Sequence, residues 1–158
     1  FTSYKAALAW ARGIGWPVFN CKRCNPGSRT SVISQSTWHP LSSQSLDIVP
    51  ECPGIYEIRT DFEFGRLKGC SQTVYIGSAK RSLKQRLSQR VSDPSRHLSM
   101  AEKWLRQNGH ALEFRFETAS DGPAARRLEI ATLNECEEQH WELPPGNSQI
   151  PRTLARQV

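Results

Sequence analysis

Gly54-Ile55-Tyr56-Glu57-Ile58-Arg59-Thr60 and Thr73-Val74-Tyr75-Ile76-Gly77 are two runs rich in β-branched and aromatic residues, and the basic stretch Lys80 to Val91 follows closely. Pro53 stands just ahead of the first run, and Gly65 and Gly69 lie between the two. These features predict a strand over 54–60, a long hairpin connection over 61–72 and a second strand over 73–77. Leu83, Leu87 and Val91 recur at i, i+4 and i+8, which predicts a helix over 80–91 with those three residues buried. Arg86 and Arg90 lie about 60° from that stripe. Both are expected to flank the core contact and not to face open water.

Further along, Asp93-Pro94 supplies an N-cap and a first helical residue, and Asn108-Gly109 a natural stop, for one helix between them. Leu112, Phe114 and Phe116 alternate with Glu113, Arg115 and Glu117 as the clearest strand in the chain. Asp121-Gly122-Pro123 opens a last helix with Ala125, Leu128, Thr132 and Cys136 facing inward, and Pro144-Pro145-Gly146 breaks the pattern. Upstream, Tyr4 to Arg12 reads as a short helix, and residues 21–50 as an irregular segment rich in Ser, Pro and Asn. The expected fold is α+β: a small, mostly antiparallel three-stranded sheet flanked by helices. Residues 51–148 form the domain, 1–50 an N-terminal extension that packs on it or contacts DNA, and 149–158 a basic tail.

The 158 residues carry 21 Lys+Arg against 15 Asp+Glu, a net charge of +6 and a pI near 9.3. Such an excess favours a polyanionic partner, and its distribution sharpens the point. Lys80, Arg81, Lys84, Arg86, Arg90 and Arg96 meet a single acid, Asp93, over that stretch, while the acids crowd Glu129 to Glu142. No apolar run approaches the roughly 18 residues that cross a bilayer, and no signal-peptide pattern is seen. No membrane is expected. The chain opens on Phe1 without Met, which leads us to expect a native start further upstream. Five irregularly spaced cysteines read as reduced, hence an intracellular protein, cytoplasmic or nucleoid-associated.

Hydrolysis of a phosphodiester needs an attacking water, a base, positive charge for the transition state and help for the leaving oxygen. Tyr56 and Tyr75 come close if their strands pair, and a phenol of lowered pKa can accept a proton. Arg86 offers a permanently charged, planar fork for two phosphate oxygens. Glu129 could anchor one Mg²⁺ through an oxygen. Other readings stand beside these: strand tyrosines that pack, helical arginines on a solvated face, and Glu129 as one acid among five.

The strings Gly54-Ile55-Tyr56 and Tyr75-Ile76-Gly77 resemble the signature of the GIY-YIG nuclease family. The resemblance covers about residues 51 to 148. It extends through Ser78-Ala79-Lys80-Arg81-Ser82-Leu83-Lys84-Gln85-Arg86-Leu87 to Arg86, through Arg126-Arg127-Leu128-Glu129 to Glu129, and through Pro144-Pro145-Gly146-Asn147 to Asn147. It implies a DNA endonuclease with one Mg²⁺ (or Mn²⁺) ion held by Glu129, a water oriented by Tyr56 with help from Tyr75, and a transition state stabilised by Arg86. Asn147 would hold the site's shape, and the products would be a 5′-phosphate and a 3′-hydroxyl.

This chain departs from the family pattern in two places. The connection between the strings is long, residues 57–74, and Arg90 stands where many members have a histidine. His97 is a candidate for a second histidine position of the site, or a surface residue near a helix start. Lys80, Arg81, Lys84 and Arg90 are the expected nucleic-acid contacts. The expected role is restriction or mobile-element DNA cleavage. The alternatives are a structure-specific repair nuclease and a nucleic-acid-binding module without catalysis. The oligomeric state is open, including a dimer on duplex DNA.

Cys21-Lys22-Arg23-Cys24 is half of a zinc site, with only His39 and Cys52 nearby to complete it, so two reduced thiols are preferred and a zinc-stapled adaptor remains a third reading. Cys70 and Cys136 read as small apolar fillers. Trp10, Trp16 and Trp38 pack on the sheet or stack on bases.

Overall fold

The computed structural model describes residue 33 and residues 36–150. The expected helix over Tyr4–Arg12, Cys21 and Cys24, and Trp10 and Trp16 lie outside the described residues. In chain order the elements are β1 (His39–Pro40), a 3-10 helix (Ser43–Ile48), β2 (Gly54–Gly65), β3 (Cys70–Ala79), α1 (Leu83–Ser92), α2 (Pro94–His97), α3 (Met100–Gln107), β4 (Leu112–Thr118) and α4 (Gly122–His140).

The strands form one antiparallel sheet in the order β1-β4-β2-β3. The fold is α+β with four strands, not the expected three. The extra strand is β1, whose His39 and Pro40 pair with Phe114 and Glu113. Two residues, one of them proline, leave no alternating pattern to read.

The expected connection over 61–72 is also corrected: both strands run on, and the turn spans only 66–69. Arg59 pairs with Thr73, but the next paired residue of β2, Phe64, faces Ser71. The residues between them bow out in a bulge, which is why Asp61 and Glu63 break the alternation.

Alternation along β2 builds two cores. Tyr56, Ile58 and Phe64 pack with Leu83 and Leu87 of α1 and Ala101 and Leu105 of α3. Ile55 and Ile76 pack with Leu133 and Cys136 of α4 on the opposite face. Leu83, Leu87 and Leu133 are fully buried, and each such side chain contributes about 1.5–3 kcal/mol.

The helices begin where capping chemistry allows. Ser82 accepts from the Gln85 backbone N–H, and Asp121 from that of Ala124. The single helix expected after Asp93 is instead two. Asp93 caps α2, and Leu98 and Ser99 are extended. Ser99 and Glu102 then form a reciprocal capping box that starts α3. Leu98, 5% exposed, plugs the break.

The edge strand β3 is closed by the segment after α4. Arg66 donates from Nε to Glu142 Oε1 at 2.7 Å and from Nη2 to the carbonyls of Glu142 and Leu143. The Gly146 N–H then reaches the Val74 carbonyl. The Asn147 amide takes both free groups of Ile76, accepting from its N–H at 3.0 Å and donating to its carbonyl at 2.8 Å. One side chain thus stands in for a neighbouring strand. Among the described residues no helix is long and apolar enough to cross a membrane.

Candidate active site

A cleft of about 470 Å³ opens where the end of β3 meets the start of α1 and the first half of α4. Tyr75 and Ser78 line it from β3, Lys80 and Arg81 from the link, Gln85, Arg86 and Gln89 from α1, and Arg126 and Glu129 from α4. Within this lining one carboxylate faces four cations. Arg86 is exposed, contrary to the expectation that it flanks the core, because its place on α1 faces the opening.

Glu129 is 6% exposed, yet it borders the cleft. Its Oε2 accepts from Ser78 Oγ at 2.6 Å and from Arg126 Nη1 at 3.0 Å. No donor reaches Oε1 among the described residues. One held oxygen and one open oxygen suit a divalent cation that takes a single carboxylate and fills its other positions with water and phosphate oxygens. The described residues contain no cluster of three or more metal-ligating side chains, and a one-carboxylate site needs none.

The two phenols are neighbours, with ring centroids 6.0 Å apart. Gly77 lets them close over the strand: a Cβ there would lie 2.7 Å from both Tyr56 Oη and Tyr75 Cε1. Tyr75 reaches the cleft, whereas Tyr56 is fully buried and does not line it. Burial, reinforced by Tyr56, pushes the Tyr75 phenol up from its ordinary value, and Arg90 only partly offsets this. Tyr75 is therefore a neutral hydroxyl at physiological pH, the reverse of the lowered phenol envisaged for a base.

Arg90 is the clearest correction. Expected as a nucleic-acid contact, it is 3% exposed and paired with the fully buried Glu102. The turn of α1 that buries Leu83 and Leu87 carries Arg90 inward with them. His97, at the end of the short helix α2, is half-buried and does not line the cleft. Lys80 and Arg81 are exposed and Lys84 is half-buried.

No family model, curated protein or solved structure matches the chain. The functional reading rests on residue pattern and geometry. The cleft can do three things: hold a phosphate between arginines, offer one carboxylate oxygen to a cation, and present a phenolic hydroxyl beside both.

Sequence reasoning missed Ser78, Arg126, Gln89 and Glu102. The spacing of Arg126 and Glu129 at i, i+3 is a legible ion pair, and Ser99-x-x-Glu102 a legible capping box. Nothing local ties Ser78 to Glu129, which are 51 residues apart.

Trp38 meets two strand arginines, the guanidinium carbons of Arg59 and Arg115 lying 4.2 and 4.5 Å from its ring centre. Cys52 and Cys136 are free thiols, and Cys70 and Cys136 are buried.

Proposed function

We propose that the chain is a divalent-metal-dependent DNA endonuclease of the GIY-YIG type, acting in restriction or mobile-element DNA cleavage. One observation carries this reading. Tyr75, Arg86 and Glu129, on three separate elements, border the same basic cleft.

In this reading the scissile phosphate enters between Arg86 and Arg126, and Lys80 and Arg81 take flanking phosphates. Arg86 meets two phosphate oxygens through its fork and stabilises charge that grows in the transition state. Glu129, held by Ser78, keeps Oε1 toward the cleft as the ligand of Mg²⁺ (or Mn²⁺). When bound, the ion supplies Lewis acidity to the phosphate and the leaving oxygen. Tyr75, a neutral hydroxyl, donates a hydrogen bond to a phosphate oxygen, and the proton of the attacking water passes to solvent. Tyr56, fully buried and absent from the cleft lining, backs the Tyr75 ring from behind. Asn147 keeps β3 in register beneath the site.

The test uses supercoiled plasmid with wild type, Glu129→Ala and Arg86→Ala, each with Mg²⁺ or with chelator. Cutting should require both the metal and Glu129, and Arg86→Ala should reduce it about 10²–10³-fold with a smaller loss of binding. Cleavage that survives in Glu129→Ala overturns the metal assignment. Retarded DNA without cutting in the wild type indicates a binding module.

A further inference from the structure

Arg90 lies where a buried charge is hard to justify by packing alone. Its Nη2 donates to both carboxylate oxygens of Glu102, and the pair is 3% and 0% exposed. Glu102 is held in turn by the backbone N–H and the hydroxyl of Ser99, at 2.8 and 2.6 Å. Replacing a buried ion pair with apolar residues of similar volume is often neutral or stabilising. Filling the core therefore does not account for the pair. The capping box needs the carboxylate alone and does not account for the arginine.

The guanidinium's other neighbours are the two phenols. Its carbon lies 4.2 Å from the centre of the Tyr75 ring and 5.6 Å from that of Tyr56. Its Nη1 donates to Tyr56 Oη at 3.4 Å. A guanidinium has donors only, so the Tyr56 oxygen accepts and its own proton must point elsewhere. That oxygen accepts from a charge that is itself paired and buried. Arg90 Nε has no hydrogen-bond partner among the described residues, so the guanidinium's remaining contact there is with the stacked ring.

We infer that Arg90, clamped by Glu102, is a positioning residue of the cleft: it turns the Tyr56 hydroxyl proton away from itself and holds the Tyr75 ring in the cleft wall. This deepens the nuclease reading and rests on it. The chain Ser99–Glu102–Arg90 runs from the start of α3 through α1 to the two phenols, and Arg90 itself does not line the cleft.

The paired variant Arg90→Met/Glu102→Leu removes both buried charges and leaves no orphaned carboxylate. Arg90→Lys keeps a cation but loses the flat, stacking fork. Each is compared with wild type by thermal melting, by kcat and KM for plasmid cleavage, and by NMR of protein labelled with ¹³C at tyrosine Cζ. The expected result is a folded paired variant with KM within a few-fold of wild type, kcat down about 100-fold and a displaced Tyr56 resonance. Arg90→Lys should lie between, with kcat down about 10-fold. A folded paired variant whose kcat stays close to wild type, or whose Tyr56 resonance does not move, overturns the inference. If the paired variant does not fold, an unchanged kcat and resonance in Arg90→Lys overturns it equally. If wild type itself cuts nothing, the nuclease reading fails, and the Tyr56 resonance alone decides the positioning.

Discussion

At Gly77 the missing side chain decides how two aromatic rings meet. An added Cβ would sit 2.7 Å from the Tyr56 hydroxyl and from the edge of the Tyr75 ring, and the Tyr56 ring is fully buried. Gly77→Ala should therefore cost about 1–3 kcal/mol in urea unfolding and lower cleavage further than stability alone explains; an unperturbed variant would mean the rings give way freely. Tyr75 makes a separate prediction. Its phenol is raised by burial and by Tyr56, whereas in the unfolded chain it ionises at about 10. Below that pH it is neutral in both states. Above it the unfolded chain loses a proton that the folded chain keeps, so stability falls as pH rises. Tyr75→Phe should flatten this alkaline decline in denaturation curves taken on both sides of about pH 10. A decline of the same size in Tyr75→Phe would assign it to other groups, such as Cys136, whose buried thiol is also raised.

Elements are held at their edges by contacts that span the chain, and β3 depends on one side chain. Asn147→Ala would leave the Ile76 N–H and carbonyl without the partners they now have. That should cost about 1–3 kcal/mol and speed amide exchange at Ile76 selectively; exchange as slow as wild type would show that the segment after α4 closes the edge without it. Sequence patterns made the inner elements legible for the same reason that they are stable. β4 and α1 bury one face each, so their periods of two and 3.6 are written in the chain, whereas β2, buried on both faces, shows as a run of β-branched and aromatic residues. The ends were hidden. The bulge before Phe64 breaks the alternation, β1 is too short to show one, and the Ser99 capping box lies inside what reads as one helix. In the site, Tyr75, Arg86 and Glu129 were legible because residue type and order point to them. The angle from the helical stripe reads Arg90 rightly as turned from open water and Arg86 wrongly. It is membership of the basic stretch that suggests Arg90 as a phosphate contact, and its burial by a second helix goes against that. Its partner Glu102 sits on α3, and nothing near Arg90 in the chain announces that element.

Over the whole molecule, the basic excess is unevenly spent. Lys80, Arg81 and Arg86 are exposed at the cleft, while Arg90, in the same basic stretch, is neutralised inside by Glu102. Formal charge counts both kinds, but only the exposed ones can displace counterions from DNA. Binding measured by fluorescence anisotropy with Glu129→Ala, to avoid cutting, should weaken steeply with salt. Each phosphate contact contributes about 0.9 to the slope of log K against log salt on duplex DNA. Removing Lys80 and Arg81 together should lower that slope by roughly 2. Arg90→Met/Glu102→Leu, which deletes a cation from the same stretch, should leave the slope unchanged because that charge never meets a phosphate. If the slope falls in the second variant and not in the first, DNA approaches by another face, and the cleft between β3, α1 and α4 is not its path.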